Sequence, residues 1–243
     1  MSFIRDFFRR RRLRRHVARH GWRFDFHGRE VVLPELANPG FASALLRGKY
    51  EREEAELIGR HLPARVPVIE LGGSLGIVSG LIRSRLDAAT PHVVLEANPD
   101  IIDICRRNAG DDPAVTTVVN GALAYDAPKV RFPVGGNIHA NRLGAAENGR
   151  VAEVEAFTLA ALWHRLGSPS GFSLVSDVEG AELDIVRREP EIVAKAGLVV
   201  MELHPAAYPQ GRQDEAALLT AMDGMGFELL ERLGDVCAWR RRQ

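Results

Sequence analysis

Cysteine is scarce in this chain of 243 residues, with Cys105 and Cys237 alone. Two thiols, each inside an apolar-periodic segment, form neither a disulfide framework nor a zinc site, so a reducing compartment and a cytoplasmic location are expected. No run of about 18 apolar residues occurs, so no membrane-spanning helix is expected. The N-terminus lacks the continuous apolar core of a secretory signal. A G-x-G-x-x-G dinucleotide fingerprint is missing too, which disfavours a nicotinamide-dependent oxidoreductase. Net charge is zero, but it is unevenly spread. Eight arginines against Asp6 leave residues 1–20 at +7 and the remainder at −7. Phe3, Ile4, Phe7 and Phe8 share one face of this arm until Arg11 interrupts it, a pattern compatible with peripheral contact with an anionic membrane or with a solvated basic helix.

What is present centres on Val66-Pro67-Val68-Ile69-Glu70-Leu71-Gly72-Gly73-Ser74-Leu75-Gly76. An apolar run ends in Glu70, a glycine-rich turn follows, and an apolar-periodic segment opens at Ile77, which predicts a buried strand, a tight loop and a helix start. The spacing is E-x-G-x-x-x-G, with Ser74 and Ile77 where the dinucleotide fingerprint has glycine. An acidic strand end with this wider loop suits a ligand carrying a charged amino-acid tail, and S-adenosylmethionine is the expected cofactor. Further on, His92-Val93-Val94-Leu95 runs into Glu96-Ala97-Asn98-Pro99. A carboxylate at the end of the second strand can accept both hydroxyls of an adenosine ribose. Asn98-Pro99 reads as an N-cap and first helical residue, and Gly110 as the stop.

From Val66 onward, apolar runs and helical patterns alternate. Strands are expected at 66–71, 92–96, 115–120, 173–177, 198–203, 227–230 and 236–239, with helices at 76–86, 99–108, 158–166, 182–188 and 214–225. Alternation of this kind predicts an α/β fold, a doubly wound, seven-stranded, mostly parallel sheet with an antiparallel C-terminal hairpin. The organisation expected is a basic arm over 1–20, a hairpin (around His27-Gly28) and helix over 21–61 packing on the core, and the main domain over 62–243. Residues 121–156, with Gly135-Gly136-Asn137 and little apolar periodicity, read as an irregular insertion over the site.

With these residues in view, the chain resembles the FkbM family of S-adenosylmethionine-dependent methyltransferases, over roughly residues 48 to 204. The landmarks are Gly48-x-Tyr50-Glu51, Ile69-Glu70-x-Gly72-x-x-x-Gly76, Glu96-Ala97-Asn98-Pro99, Thr158-Leu159-x-x-Leu162, Asp177-Val178-Glu179-Gly180-Ala181-Glu182 and Glu202-Leu203-His204. The hexapeptide beside E-x-H is the most specific of them. The resemblance implies a Rossmann-like class I methyltransferase acting on hydroxyl groups, often on sugars of glycans, glycolipids or secondary metabolites. Val175 departs from the family's usual Lys two residues before the Asp, and Glu70 stands where Asp is common.

Ligands of open α/β sheets lie beyond the carboxyl ends of the strands. Glu70 and the loop Gly72, Gly73, Ser74 and Gly76 are expected to receive the methionine amino and carboxylate groups. Glu96 and Ala97 would meet the ribose, Asn120 and Gly121 the adenine edge, and Asp177 the methionine portion or the acceptor. A sugar hydroxyl is a poor nucleophile at neutral pH and needs a general base or a metal. His204 and Asp177 are the expected bases, with Glu179 behind them; the alternative role for Glu179, shared with Glu182, is to organise the helix start electrostatically. Tyr50, Asn137 and His139 are assigned to a small-molecule or glycan acceptor. Asp177 with Glu202 could also hold a divalent ion from two neighbouring strand ends, but no third carboxylate is evident, and no metal is expected. Nucleic-acid base methylation is disfavoured, because Asp177-Val178-Glu179-Gly180 lacks the Asn/Asp-Pro-Pro-aromatic motif. The non-enzymatic alternative is a degenerate methyltransferase fold tethered through its basic arm to a membrane or nucleic acid.

Overall fold

The computed structural model describes residues 2–35, 37–110, 112–134 and 150–242, with the backbone alone for 2–6. Helix α1 (Ser2–His20) precedes a hairpin of β1 (Arg23–Phe26) and β2 (Arg29–Val32), which turns at His27-Gly28 with positive φ at both residues. Leu13 docks α1 into the core and His16 stacks on Phe24. Of the apolar stripe expected on this helix, Phe7 and Phe8 are exposed, and the side chains of Phe3 and Ile4 fall outside the described set. Two further helices follow, α2 (Pro39–Leu45) and α3 (Arg52–His61). Among the described residues no helix is long and apolar enough to cross a membrane.

The alternating region then begins with β3 (Val68–Leu71), α4 (Ile77–Arg85), β4 (His92–Glu96), α5 (Ile102–Ala109) and β5 (Thr116–Asn120). After a second, smaller sheet it resumes with α6 (Leu159–Arg165), β9 (Phe172–Ser176), α7 (Glu182–Arg188), α8 (Pro190–Val193) and β10 (Ala196–Glu202). A short 3-10 turn (Pro205–Ala207), α9 (Arg212–Gly224), β11 (Phe227–Leu233) and β12 (Val236–Arg241) complete the described chain. The main sheet runs β5-β4-β3-β9-β10-β12-β11, and only β12 is antiparallel to its neighbours. Its central strands are buried on both faces, which explains their unbroken apolar runs. Ile69, Leu71, Leu174 and Met201 pack with Leu159, Leu183 and Leu218 on one side. Val68, Val175 and Val200 pack with Leu57, Ile58 and Leu81 on the other. The α6 start is capped twice: Thr158 Oγ1 accepts from Ala161 N, and Glu189 accepts from the N–H groups of Leu159 and Ala160 at 2.6 and 2.7 Å.

Two expectations are corrected. The stretch 121–156 is not irregular throughout: β6 (Ala122–Leu123), β7 (Lys129–Val134) and β8 (Arg150–Phe157) form a three-stranded sheet in the order β6-β8-β7. Its apolar residues alternate with charged ones because one face alone is covered, around Phe132, Val134 and Val154. Asn98-Pro99 does not start α5. Asn98 Oδ1 accepts from Asp100 N at 3.0 Å, forming a local turn, and the helix begins at Ile102.

Candidate functional site

Beyond the carboxyl ends of β3, β4, β9 and β10 lies a crevice of about 320 Å³, the small end of the range for small-molecule sites. One half is built by the glycine loop. Gly72 N and Gly73 N both donate to Leu95 O, tying the loop to β4. Gly72 has φ +90°, and a Cβ there would stand 1.8 Å from Asp177 O, so only glycine lets β3 and β9 end side by side. Gly76 (φ +74°) is required for another reason, since a Cβ would meet Cys105 O of α5 at 2.3 Å. Gly72, Gly73 and Ser74 line the crevice, but Gly76 does not.

Glu96 closes this half. Its two oxygens accept from Ser74 N and Asn98 N, each at 2.6 Å, so one carboxylate joins the loops after β3 and β4. Burial pushes it up to about 7, against the pull of those backbone N–H groups and with Glu70 adding repulsion. Ala97 and Gly121 line the wall, and the buried Asn98 Nδ2 there has no hydrogen-bond partner among the described residues. Asn120, expected at the adenine edge, is not in the lining. Its Nδ2 donates to Glu96 O at 2.9 Å and Ala97 O at 3.3 Å, so it holds the end of β4 in place. Glu70 reaches the crevice floor, yet Oε1 accepts from Ser79 Oγ at 2.8 Å and Oε2 lies 2.9 Å from His92 Nε2. Ser79 thus ties one oxygen to α4, while Oε2 is buried without a hydrogen-bond partner among the described residues.

The other half is acidic. Asp177 and Glu179 follow β9, Glu202 ends β10, and Tyr50 and Glu51 come from the turn before α3. Glu54 joins them from the buried face of α3. Burial first, and then mutual repulsion, raises Asp177 and Glu54 well above the carboxylate range and Glu51 to about 7, while Glu202 is also raised. Among the described residues His204 is the one group in the lining that can be cationic. Its Nδ1 lies 2.7 Å from Oε1 of the fully buried Glu182, and its Nε2 lies 3.5 Å from Asp177 and 3.6 Å from Glu179. Burial pulls the imidazole down, but Glu182, then Asp177 and Glu179, outweigh it and hold His204 up at about 9. At neutral pH it therefore carries a proton, which it must surrender before acting as a base.

Of the residues singled out from sequence, Tyr50, Glu70, Gly72, Gly73, Ser74, Glu96, Ala97, Gly121, Asp177, Glu179 and His204 meet around one crevice. Gly76 and Asn120 support it from behind, and Asn137 and His139 lie outside the described residues. Glu51, Glu54 and Phe132 were missed as lining, and Glu182 as the partner of His204. The signal for Glu54 was its spacing: four residues before Ile58, it falls on the inward face of α3.

A nucleoside with an amino-acid tail suits these donors. Glu96 and the unpartnered Asn98 amide offer a carboxylate and a donor at one end, and the acidic groups at the other suit a cationic centre. The strand order and single antiparallel strand define a Rossmann-like, doubly wound sheet of the class I methyltransferase type. No protein-family model and no curated protein matches the chain. Among solved structures, a protein of the NADB-Rossmann superfamily from Streptococcus agalactiae is similar at 8% identity and TM-score 0.47, over 78% of this chain and 68% of that one. Ribosomal protein L11 methylase from Lactobacillus delbrueckii subsp. bulgaricus is similar at 11% identity and TM-score 0.42, over 84% and 81%. Fibrillarin from Aeropyrum pernix, crystallised with natively bound S-adenosyl-L-methionine, is similar at 12% identity and TM-score 0.44, over 77% and 71%. Likeness at this level carries no activity across.

Proposed function

We propose that the chain is an S-adenosylmethionine-dependent O-methyltransferase of FkbM type, with a hydroxyl of a sugar, glycan or glycosylated metabolite as acceptor. The observation that carries the reading is Glu96, a buried carboxylate at the end of β4 that faces the crevice beside the Gly72–Ser74 loop. When bound, S-adenosylmethionine supplies a methyl group on a cationic sulfur. The chain's own contribution is positional, since in-line displacement rewards correct alignment of the two reactants. Glu96 would accept the ribose hydroxyls, and the loop backbone would hold the amino-acid tail. Glu182 holds the His204 ring with Nε2 turned to the crevice, where the imidazole, once neutral, would take the acceptor's proton. The sugar acceptor and the FkbM assignment rest on the motif resemblance.

Calorimetric titration with S-adenosylhomocysteine tests the cofactor half. Micromolar binding is expected, weakened at least tenfold (about 1.4 kcal/mol) by Glu96→Ala. Absence of binding by the folded wild type would overturn the reading and favour a scaffold without turnover. A screen of hydroxylated sugars, read by mass spectrometry for added methyl, tests the acceptor half.

A further inference from the structure

Three carboxylates from separate elements converge at the acidic end of the crevice: Glu51 before α3, Asp177 after β9 and Glu202 at the end of β10. One oxygen of each lies within 4.8 Å of the other two. Oxygens bound to one divalent ion at about 2.1–2.5 Å stand roughly 3–5 Å apart, so this spacing is that of a shared coordination sphere. Acids cluster on many surfaces without binding anything, but a buried side chain, Glu54, and a buried oxygen of Asp177 set this cluster apart. Glu54, 4% exposed, lines the same crevice and has no hydrogen bond or ion pair with any described residue. Among the described residues the buried Asp177 Oδ1 has no hydrogen-bond partner, and its one cationic neighbour is His204 Nε2 at 3.5 Å. Among the described residues no lysine or arginine lines the crevice. Burying this many carboxylates against a single imidazole is costly unless a further cation joins them.

We infer that Glu51, Asp177 and Glu202 hold one divalent cation, with Glu54 behind them as an acceptor for its bound water. An all-oxygen set selects a hard ion, Mg²⁺, Mn²⁺ or Ca²⁺. A second trio, Asp177, Glu179 and His204, is equally compact. It already contains its own cation, because His204 is tied through Nδ1 to Glu182 and turns Nε2 toward both acids. Ion binding is independent of the methyl-transfer reading. Only its use rests on that reading, as a Lewis acid for the acceptor hydroxyl at the strand ends.

The test is Mn²⁺ titrated into the whole chain near neutral pH, with free ion read by electron paramagnetic resonance. One Mn²⁺ per chain is expected, displaced by Mg²⁺ or Ca²⁺, with affinity lowered at least tenfold by Glu51→Gln and by Glu202→Gln. Glu153→Gln, on an exposed position of β8, should change nothing. Both site variants relieve like-charge repulsion, so without metal they should melt no lower than wild type, which separates loss of the site from loss of the fold. Absence of stoichiometric binding, or binding that both variants leave intact, overturns the inference. So does a crevice that takes up a primary ammonium ion but no metal. S-adenosylhomocysteine is titrated in parallel. Mn²⁺ binding without nucleoside binding upholds the site and counts against the methyl-transfer reading. Nucleoside binding without Mn²⁺ overturns the site and leaves that reading standing.

Discussion

Glu182 and His204 form a carboxylate–imidazole pair in which Oε1 of a fully buried glutamate sits 2.7 Å from Nδ1 of the ring. Gly180 N donates to the same oxygen at 3.1 Å, and His204 N donates to Tyr208 OH, so both partners are held from several sides. With the Nδ1 proton given to Glu182, the ring keeps one orientation and presents Nε2 to the crevice. Glu182→Gln keeps the shape and removes the charge. A charge-assisted hydrogen bond is worth about 1.5–3 kcal/mol, so His204 should titrate about one to two pH units lower than in wild type. His204 is raised from 6.5 to about 9, so the pair's contribution is full below about 6.5 and is lost as pH rises through about 9. Ring-proton NMR across that window, with melting curves for both proteins, checks it. An unshifted titration would show that Glu182 does not govern the ring.

Glu96 has the same direction of dependence over a lower window. Its carboxyl is raised from 4.5 to about 7, so burial penalises the folded protein once the group ionises. Its share of stability is full below about pH 4.5, declines as pH rises through about 7 and stays low above, a change on the order of 3 kcal/mol at most. Ribose hydroxyls need the ionised form, so nucleoside affinity should fall up to tenfold per unit below about pH 7. Glu96→Gln should flatten both curves, as calorimetry and thermal melts over pH 5–8 (about that range) would reveal.

Gly72→Ala should be severe. The new Cβ would overlap Asp177 O, and φ +90° is closed to most side chains. A loss of roughly 3 kcal/mol or more is expected, with the β3–β9 seam opening first. Hydrogen exchange of Asp177 N, which donates to Leu71 O, is the local readout. Normal protection in a stable Gly72→Ala protein would be evidence against the close approach.

Glu189→Ala removes the acceptor of two N–H groups at the start of α6, leaving Thr158 as the sole side-chain cap. A loss of about 1–2 kcal/mol in denaturant melts is expected, with no change in nucleoside affinity, since the cap lies outside the crevice lining. A change in affinity would tie α6 to the site.

Much of the frame was legible because each central strand is a short apolar run ending in a polar or acidic residue. His92–Glu96 and Glu182–Arg188 fall where the pattern puts them. Val68–Leu71 begins two residues later than expected. The small sheet was harder to read. Arg150–Phe157 does alternate, but its partner Lys129–Val134 is separated from it by residues 135–149, and local spacing says nothing about such a pairing. The site divides similarly. Strand-end acids such as Asp177 announce themselves, because fold rules gather strand ends at one crevice. Glu51 does not: it reaches the site from a turn far upstream in sequence, in the left-handed conformation at φ 39°. Asn120 carried a misleading signal, since a polar strand end can serve the neighbouring backbone as well as a ligand.

The placement of β12 has a consequence for the order of events on the ribosome. It follows every other described strand in the chain, yet it lies inside the sheet, between β10 and β11. Val236 pairs with Glu202, and Leu203 N donates to Asp235 O, so the acidic rim of the crevice is fastened by residues synthesised after every other described strand. At about 5–20 residues per second the earlier strands can assemble as they emerge. β11 must wait without a neighbour until β12 arrives to fill the gap. A growing chain therefore holds an unfinished rim until β12 has emerged.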